Sequence, residues 1–465
     1  MSAVDFDAYA LPAGVEATPS FLEYDAQGIR VRYVQATAEW IEGLAAALLR
    51  AREGLAARDA SDIATVLGRV GSRFSDQSDP LRAEALRLLP ATAGYSKEMA
   101  VAVLDGMAAD WTRERLLALV RAELRTEHAL DGFVHTADRS AMAIGPSLCV
   151  QIVAGSVPGV GVTALLRSLL LKGPTLVKPG RGDVILPVLF ARALREVDPD
   201  LADALAVLYW RGGARSLESA ALARAEVVTA YGSDQTVAEL RLRTPPTARF
   251  VAYHHRVSVG IVGRDALSND EVDRAAADVA LSVALFDQRG CVSPQVVFVE
   301  EGGLCGPEAF AAALGEQFRL LETRLPSVAP DPGEASAQHQ MRGTAELMAA
   351  LGEVTVIHGG DAAWTIVLDG TGELVPSAGG RCVRVRGVSD ASDVPALLTP
   401  FAGHLQTVGV AGLGERLDPV ARALGSVGAS RVVPFSSVAF PPPWWHHDGR
   451  GPLLDLLRWV DLEGA

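Results

Sequence analysis

From Leu148 onward the chain alternates short β-rich runs with helical stretches, and this alternation restricts the fold more than any other feature. CVQIVAG is followed by VGVTALLRSLLLKG, PTLVKPG by DVILPVLFARALREV, ALAVLYWRGG by SLESAALARA, and EVVTAYGS by DQTVAELRLR; RFVAYHH closes the series. Such alternation predicts parallel strands joined by right-handed helical crossovers, an α/β doubly wound sheet. In these sheets ligands collect at the carboxyl ends of the strands, beside the N-H groups of helix starts. The ends here carry Gly155-Ser156-Val157-Pro158-Gly159, Lys178-Pro179-Gly180-Arg181, Trp210-Arg211-Gly212-Gly213, Tyr231-Gly232-Ser233-Asp234 and His254-His255-Arg256. Small and charged residues of this kind suit a nucleotide. Neither G-x-G-x-x-G nor a P-loop motif occurs, so a nucleotide site and a plain scaffold both stay open.

Upstream, apolar positions recur at three and four between residues 38 and 130, which predicts a helical N-terminal section. Downstream, Ser268 and Glu271 form a capping-box pair ahead of a helix through EVDRAAADVALSVALF. That helix leads into Asp287-Gln288-Arg289-Gly290-Cys291-Val292-Ser293-Pro294-Gln295 and a strand, VVFVEE. SVAPDPGEASAQHQ reads as a surface loop, and the tail holds PPPWWHHDGR and an amphipathic LLDLLRWVDLE. At 465 residues, one core does not suffice. We expect residues 1-265 to form the helical section and nucleotide-binding domain, 266-425 a catalytic domain, and 426-465 to pack back on the first.

A net charge of -14 without a basic tract argues against a nucleic-acid surface. Arginines interrupt every apolar stretch well before the roughly twenty residues a bilayer requires, so no membrane span is expected. The N-terminus lacks the charged-then-apolar pattern of a secretion signal, and a cytoplasmic address is expected. Four cysteines (Cys149, Cys291, Cys305, Cys382) in a chain this long make neither a disulfide framework nor a metal-ligand pattern. Cys149 and Cys382 fall in strand-like runs, where a buried inert thiol is the plain reading, and Cys305 falls in a surface turn. Cys291 alone occupies a short polar loop, where nearby charge or backbone N-H groups can produce a thiolate nucleophile.

FDQRGCVSPQ, with AYHHRVSVGIV, TLVKPG, YWRGG and AYGSD before it and LQTVGV and PPPWWHHDGR after it, resembles the acyl-CoA reductases of the bacterial luminescence fatty-acid reductase system, the LuxC family. The resemblance runs from TAGYSKEM near Tyr95 to WVDLE. It implies an aldehyde dehydrogenase-like fold, with a Rossmann-type nucleotide domain, an α/β catalytic domain and a homo-oligomeric assembly. It implies that Cys291 takes an acyl group from a thioester and that reduction releases an aldehyde. Ser156 matches the position of an oxyanion-stabilising amide, though a hydroxyl has shorter reach and a bland loop role is also open.

Lys178 matches a lysine that contacts the adenosine ribose. Arg181 stands where NAD-preferring relatives often carry a carboxylate, so the pair favours NADPH over NADH. Gly232 and Ser233 match the turn beneath the diphosphate. VAYHHR lacks the glutamate with which hydrolytic relatives activate water, which suits a reductase; Arg256 and His255 stand there instead. The resemblance brings no metal, and adjacent histidines such as His446 and His447 rarely reach one ion. His447, beside Asp448, is a candidate for proton donation or a structural anchor, and Trp444 and Trp445 are candidate walls of an acyl tunnel or simply core. The substrate expected is an acyl-CoA or an acyl-carrier thioester, with an acyl-activating or acyl-transferring protein as a possible partner. A scaffold that has lost turnover is the competing reading.

Overall fold

The computed structural model describes residues 4–18, 20–136, 140–360, 363–369, 375 and 377–463. The chain divides into two units: Met1–Ala93, Ala100–His254 and Pro442–Ala465 form the first, and Gly94–Met99 with His255–Pro441 the second.

The first unit is built on strands β1 (Cys149–Ile152), β2 (Thr175–Lys178), β3 (Leu205–Leu208), β4 (Val227–Tyr231) and β5 (Arg249–Tyr253). All pair in parallel, in the spatial order β5-β4-β1-β2-β3, and Tyr9–Ala10 adds an antiparallel edge to β3. Every residue of β1, β2 and β3 is buried, as helices on both faces require. The order reverses between β1 and β4, which makes their carboxyl ends the switch point where such sheets bind ligands. Helix α1 (Val160–Leu170) follows β1, and α2 (Asp234–Arg243) follows β4.

The predicted helical section is present, from Ala38–Ala56 through Arg113–Leu124. Thr37 and Thr112 cap these two helices by accepting from Trp40 N and Arg115 N. One contact centre of this unit is aromatic: Phe74 stacks on Phe190 at 6.0 Å, with Trp111 edge-on to both. Each ring is almost fully buried and is worth about 2–3 kcal/mol by its lost apolar surface. A three-stranded sheet, Val4–Asp7, Ile29–Val34 and Phe21–Ala26, precedes the helices and was not anticipated. At the other end, RWVDL forms a strand, Arg458–Leu462, antiparallel to Ser140–Ile144. Leu453, Leu456 and Leu457 enter the first unit's core.

The second unit carries β6 (Val257–Val262), β7 (Pro294–Glu300), β8 (Cys382–Val388), β9 (Leu405–Ala411) and β10 (Arg431–Pro434). They are parallel in the order β8-β7-β6-β9-β10, and Thr365–Asp369 and Val354–His358 extend the sheet beyond β8, the last antiparallel. β6, expected in the first domain, is the central strand here. The boundary therefore lies at His254–His255 rather than at 265, and the returning tail starts at Pro442 rather than at 426.

Two local expectations are corrected. The helix before Cys291, α3, runs from Val272 to Ala284 and has no side-chain cap: the carbonyl of Ser268 accepts from Glu271 N and Val272 N in a plain turn. It stops short of Phe286 because the backbone there is left-handed. Most of the expected loop SVAPDPGEASAQHQ is the start of helix α4 (Pro332–Ala350). Asp331 caps it through Gly333 N and Glu334 N, and Pro332 at the first helical position is pre-set for the turn.

Candidate active site

At the switch point of the first unit, loops interlock with no space between backbones. A side chain on Gly155 would meet Gly182 N at 2.7 Å, and one on Gly180 would meet Gly155 N at 2.2 Å. Gly159-x-Gly161-x-x-Ala164 opens α1, an alanine-ended form of the dinucleotide fingerprint that the sequence reading missed. The anion site such a helix start offers is already filled. Asp183, fully buried, accepts from Gly159 N and Gly161 N at 2.6 Å each. Burial pushes its pKa up to about 8 against these two donors. A second helix start, that of α2, lies at the end of β4. Its cap, Ser233, accepts from Thr236 N, and a side chain on Gly232 would crowd Thr236 at 3.2 Å. Asp234, at the first position of α2, faces His254 at 3.5 Å.

Lys178 ends β2 only 8% exposed, with its Nζ 5.7 Å from the centre of the Tyr209 ring. Burial lowers its pKa to about 8, with the charge of Glu218 opposing. Among the described residues it forms no ion pair, which leaves its ammonium for an anionic ligand. Arg181 is held by the unanticipated N-terminal hairpin. Its guanidinium lies 4.4 Å over Tyr24, and Nη2 donates to Asp25 O at 2.8 Å. Tyr24 packs in turn on Tyr209 at 5.6 Å, so one aromatic group supports both cations. Glycine-tight loops, a cation without an ion pair, a positioned arginine and an N-capped helix suit a phosphate-bearing nucleotide. Ser156 lies exposed in the loop after β1.

His447 reaches the same sheet end from the returning tail. Tyr231 and Tyr253, register partners at the ends of β4 and β5, stack at 4.3 Å. His447 stacks on Tyr253 at 4.4 Å and on Trp445 at 4.6 Å, so both faces of the imidazole are covered. Asp448, left-handed and almost buried, places a carboxylate oxygen 3.9 Å from Nε2.

Cys291 belongs to the second unit. It is exposed, whereas Cys149 and Cys382 are buried, with burial raising their pKa to about 12 and about 11. Three consecutive residues before it, Phe286, Asp287 and Gln288, have positive φ, at about 1 kcal/mol or more each. The surroundings over-determine this strained run. Phe286 packs edge-on against Phe440 at 5.3 Å. Asp287 accepts from the Nε and Nη2 of Arg381, which is 1% exposed. Gln288 donates to the carbonyls of Pro294 and Cys382 and accepts from Cys382 N. The Cys291 carbonyl accepts from Ser258 Oγ at 2.6 Å, and that oxygen accepts from Thr407 N at 3.2 Å.

Thr407 is the register partner of Arg431 on β10, a residue the sequence reading missed. Arg431 donates to the carbonyls of Val438 and Ser437, and its charge acts on Cys291. Burial lowers its pKa to about 10, still a full cation at neutral pH. No local motif marks it, because strand pairing brings it to the cysteine. At the position of the absent glutamate, Arg256 donates to Gly403 O and the carbonyl of His255 lies 3.2 Å from His404 Nδ1. Among the described residues no three His, Cys, Asp or Glu side chains converge as metal ligands, and no helix is long and apolar enough to cross a membrane.

Residues 55–459 match the family model described as acyl-CoA reductase (LuxC). Among curated proteins, the long-chain acyl-protein thioester reductase of Photorhabdus laumondii is 25% identical over 413 residues, 86% of this chain and 82% of its own. That of Aliivibrio fischeri is 25% identical over 418 residues, 87% and 82%. Among solved structures, an NADP-dependent glyceraldehyde-3-phosphate dehydrogenase from Bacillus halodurans superposes with a TM-score of 0.74 at 13% identity, covering 98% of this chain and 99% of that one. An NAD-dependent benzaldehyde dehydrogenase from Corynebacterium glutamicum gives 0.71 at 15%, covering 97% and 98%. The fold is that of the aldehyde dehydrogenases.

Proposed function

The chain belongs to the LuxC family of acyl-CoA reductases, and from that premise we propose that it reduces a fatty acyl thioester to the aldehyde with NADPH, through an acyl group carried on Cys291. The observation that carries this reading is the cysteine itself: exposed, held by a strained and fully braced loop, and within the field of Arg431. The Cys291 thiolate attacks the thioester carbonyl. The carbon–sulfur bond to the donor breaks, the donor thiol leaves with a proton, and the acyl group stays on Cys291. Arg431 stabilises the thiolate before attack and each time it is regenerated.

When bound, the nicotinamide would supply a hydride, which with one proton turns the acyl group into a thiohemiacetal; the carbon–sulfur bond to Cys291 then breaks, the hydroxyl gives up its proton, and aldehyde and thiolate are released. Lys178 and Arg181 would hold its 2'-phosphate, and the turn at Gly232 and Ser233 its diphosphate. Backbone N-H groups beside Cys291 and the Ser156 hydroxyl are assigned to the oxyanion, and His447 to proton donation. The stretch after β5 carries His254, His255 and Arg256 and supplies no carboxylate of its own to activate water, which favours an acyl group that persists for reduction. The relatives, long-chain acyl-protein thioester reductases, favour a protein-bound acyl donor; an acyl-CoA is the alternative, and a homo-oligomeric assembly is expected.

The test is to incubate the protein with radiolabelled acyl-CoA and then with an acyl-carrier protein, without coenzyme. Label on the wild type that is absent from Cys291→Ala, followed by aldehyde on addition of NADPH, is the expected result. Label that persists on Cys291→Ala overturns the assignment.

A further inference from the structure

Arg167 stands two turns into α1 and is 6% exposed. Its Nε is buried without a hydrogen-bond partner, and among the described residues no carboxylate lies within ion-pair distance. Asp110, whose carboxylate feels its charge, is engaged by Arg115 at 2.8 and 2.6 Å. A guanidinium does not shed its proton in a protein. Leaving a charged donor buried and unsatisfied costs on the order of 1–3 kcal/mol or more, and a native structure seldom keeps such a group without a use.

The surroundings indicate the use. The Gln151 side chain on β1 donates to Ala164 O and Ser168 Oγ, on either side of Arg167, and accepts from Thr229 Oγ1 on β4. α1 is thereby laid against β1 and β4. Tyr231 lies two residues beyond Thr229 and so points to the same face of the sheet, and Tyr253 is its register partner. The Arg167 charge acts on both phenols. His447 and Trp445 continue their stack, and Trp444 lies 4.4 Å beneath the Arg115 guanidinium. The Asp448 carboxylate acts on both phenols as well, and Asp455 on Tyr253, while Asp110 is taken by Arg115; among the described residues none of the three lies within ion-pair distance of Arg167.

We propose that Arg167, with the hydroxyls of Tyr231 and Tyr253, forms an anion subsite in the first unit that takes an oxyanion group of a ligand, a carboxylate or a phosphate. A guanidinium binds either group through paired N-H donors. The group has two possible sources: a carboxylate at the far end of an acyl chain, or a phosphate of the thioester donor or coenzyme.

Wild type, Arg167→Met and Arg167→Lys are titrated with sodium phosphate and with glutarate, following tryptophan emission and binding heat. Saturable binding of at least one anion to the wild type, weakened at least about tenfold in Arg167→Met and retained in part by Arg167→Lys, is expected. Should Arg167→Met fail to fold, Arg167→Gln replaces it in the same comparison.

Reduction of glutaryl-CoA and pentanoyl-CoA, an arm that rests on the thioester-reductase reading, identifies the source. A loss in kcat/KM about tenfold larger on glutaryl-CoA than on pentanoyl-CoA assigns the acyl carboxylate. A rise in KM for NADPH or for both esters alike assigns a phosphate. Equal binding and turnover by wild type and Arg167→Met, or no saturation of the wild type by either anion, overturns the subsite and leaves Arg167 hydrated. If the anions bind through Arg167 and no thioester is reduced, the subsite stands and the reductase reading falls.

Discussion

Arg381 gives both Nε and Nη2 to one oxygen of Asp287, at 2.9 and 2.7 Å, and both residues hold left-handed backbone angles. Two strained positions far apart in sequence thus fix each other, four residues before Cys291. Arg381 also reaches Glu322 and Leu325 O, which anchors the pair to the helix Pro307–Glu322 and its exit. Arg381→Met leaves the Asp287 carboxylate buried without its cation, and we expect a loss of about 3–5 kcal/mol in urea denaturation. Asp287→Asn retains an acceptor and should fold. Its loop is no longer held, and the rate of Cys291 acylation should fall at least about tenfold. An unchanged rate would remove the pair from any positioning role.

The charge of Arg431 acts on Cys291 from a separate strand, β10. In Arg431→Met the pH profile for alkylation of Cys291, read at the peptide level by mass spectrometry, should move upward by about one unit. Cys305 in the same digest serves as the internal control. A profile that does not move shows that the loop and not the cation activates the thiol.

Lys178 gives a pH dependence with a definite sign. Its ordinary value of 10.5 falls to about 8 in the folded protein, so between these values the unfolded chain holds more protons and stability rises with pH. Below about 8 the buried ammonium is charged and costs stability, and on the NADPH proposal it would meet a 2'-phosphate; above it the charge is lost. KM for NADPH should therefore climb above about pH 8, while KM for NADH stays nearly level. Lys178→Met should show the high NADPH KM at every pH. Steady-state kinetics from pH 6 to 10 decides this, and parallel profiles for the two coenzymes would contradict it.

Asp183 occupies the helix start that dinucleotide-binding sheets give to the ligand. Asp183→Ala strips the acceptor from two buried N-H groups at the start of α1, and each unsatisfied donor costs about 1–3 kcal/mol. Thermal denaturation should show a fall of several degrees. Cys291 alkylation should proceed at the wild-type rate, since the aspartate belongs to the other unit; a parallel loss of both would indicate that Asp183 supports more than α1.

The first sheet was legible because its strands are apolar throughout and its helices intervene at regular intervals, a local signal that tertiary contacts only reinforce. Cys291 was legible for a similar reason, since its loop lies in one unbroken segment. What could not be read is what depends on distant pairing. Arg431 meets Cys291 only across β6, β9 and β10, and Tyr24 meets Arg181 only after the N-terminal hairpin has folded against the sheet. IRVRYV does alternate, and that alternation could have announced the hairpin. α4 was hidden by proline and glycine, although Asp331-Pro332 is itself a helix-start signal. The Gly159–Ala164 fingerprint was visible, and only the structure shows that Asp183 has closed it to phosphate.

The passage of the chain from the first unit into the second and back has a temporal meaning. Leu453, Leu456 and Leu457 complete the first unit's core, and Trp445 and His447 complete its aromatic stack. At ribosomal rates, the residues between His255 and Pro441 take on the order of 10–40 s to make. Through that interval the first unit exists with its sheet drawn and its core open, while the second can already close around Cys291. The loop of Cys291 can be complete before the first unit's aromatic stack has its last members. A nascent chain of this kind depends on late closure, and lesions in the tail should be felt as failures of assembly before they are felt as failures of chemistry.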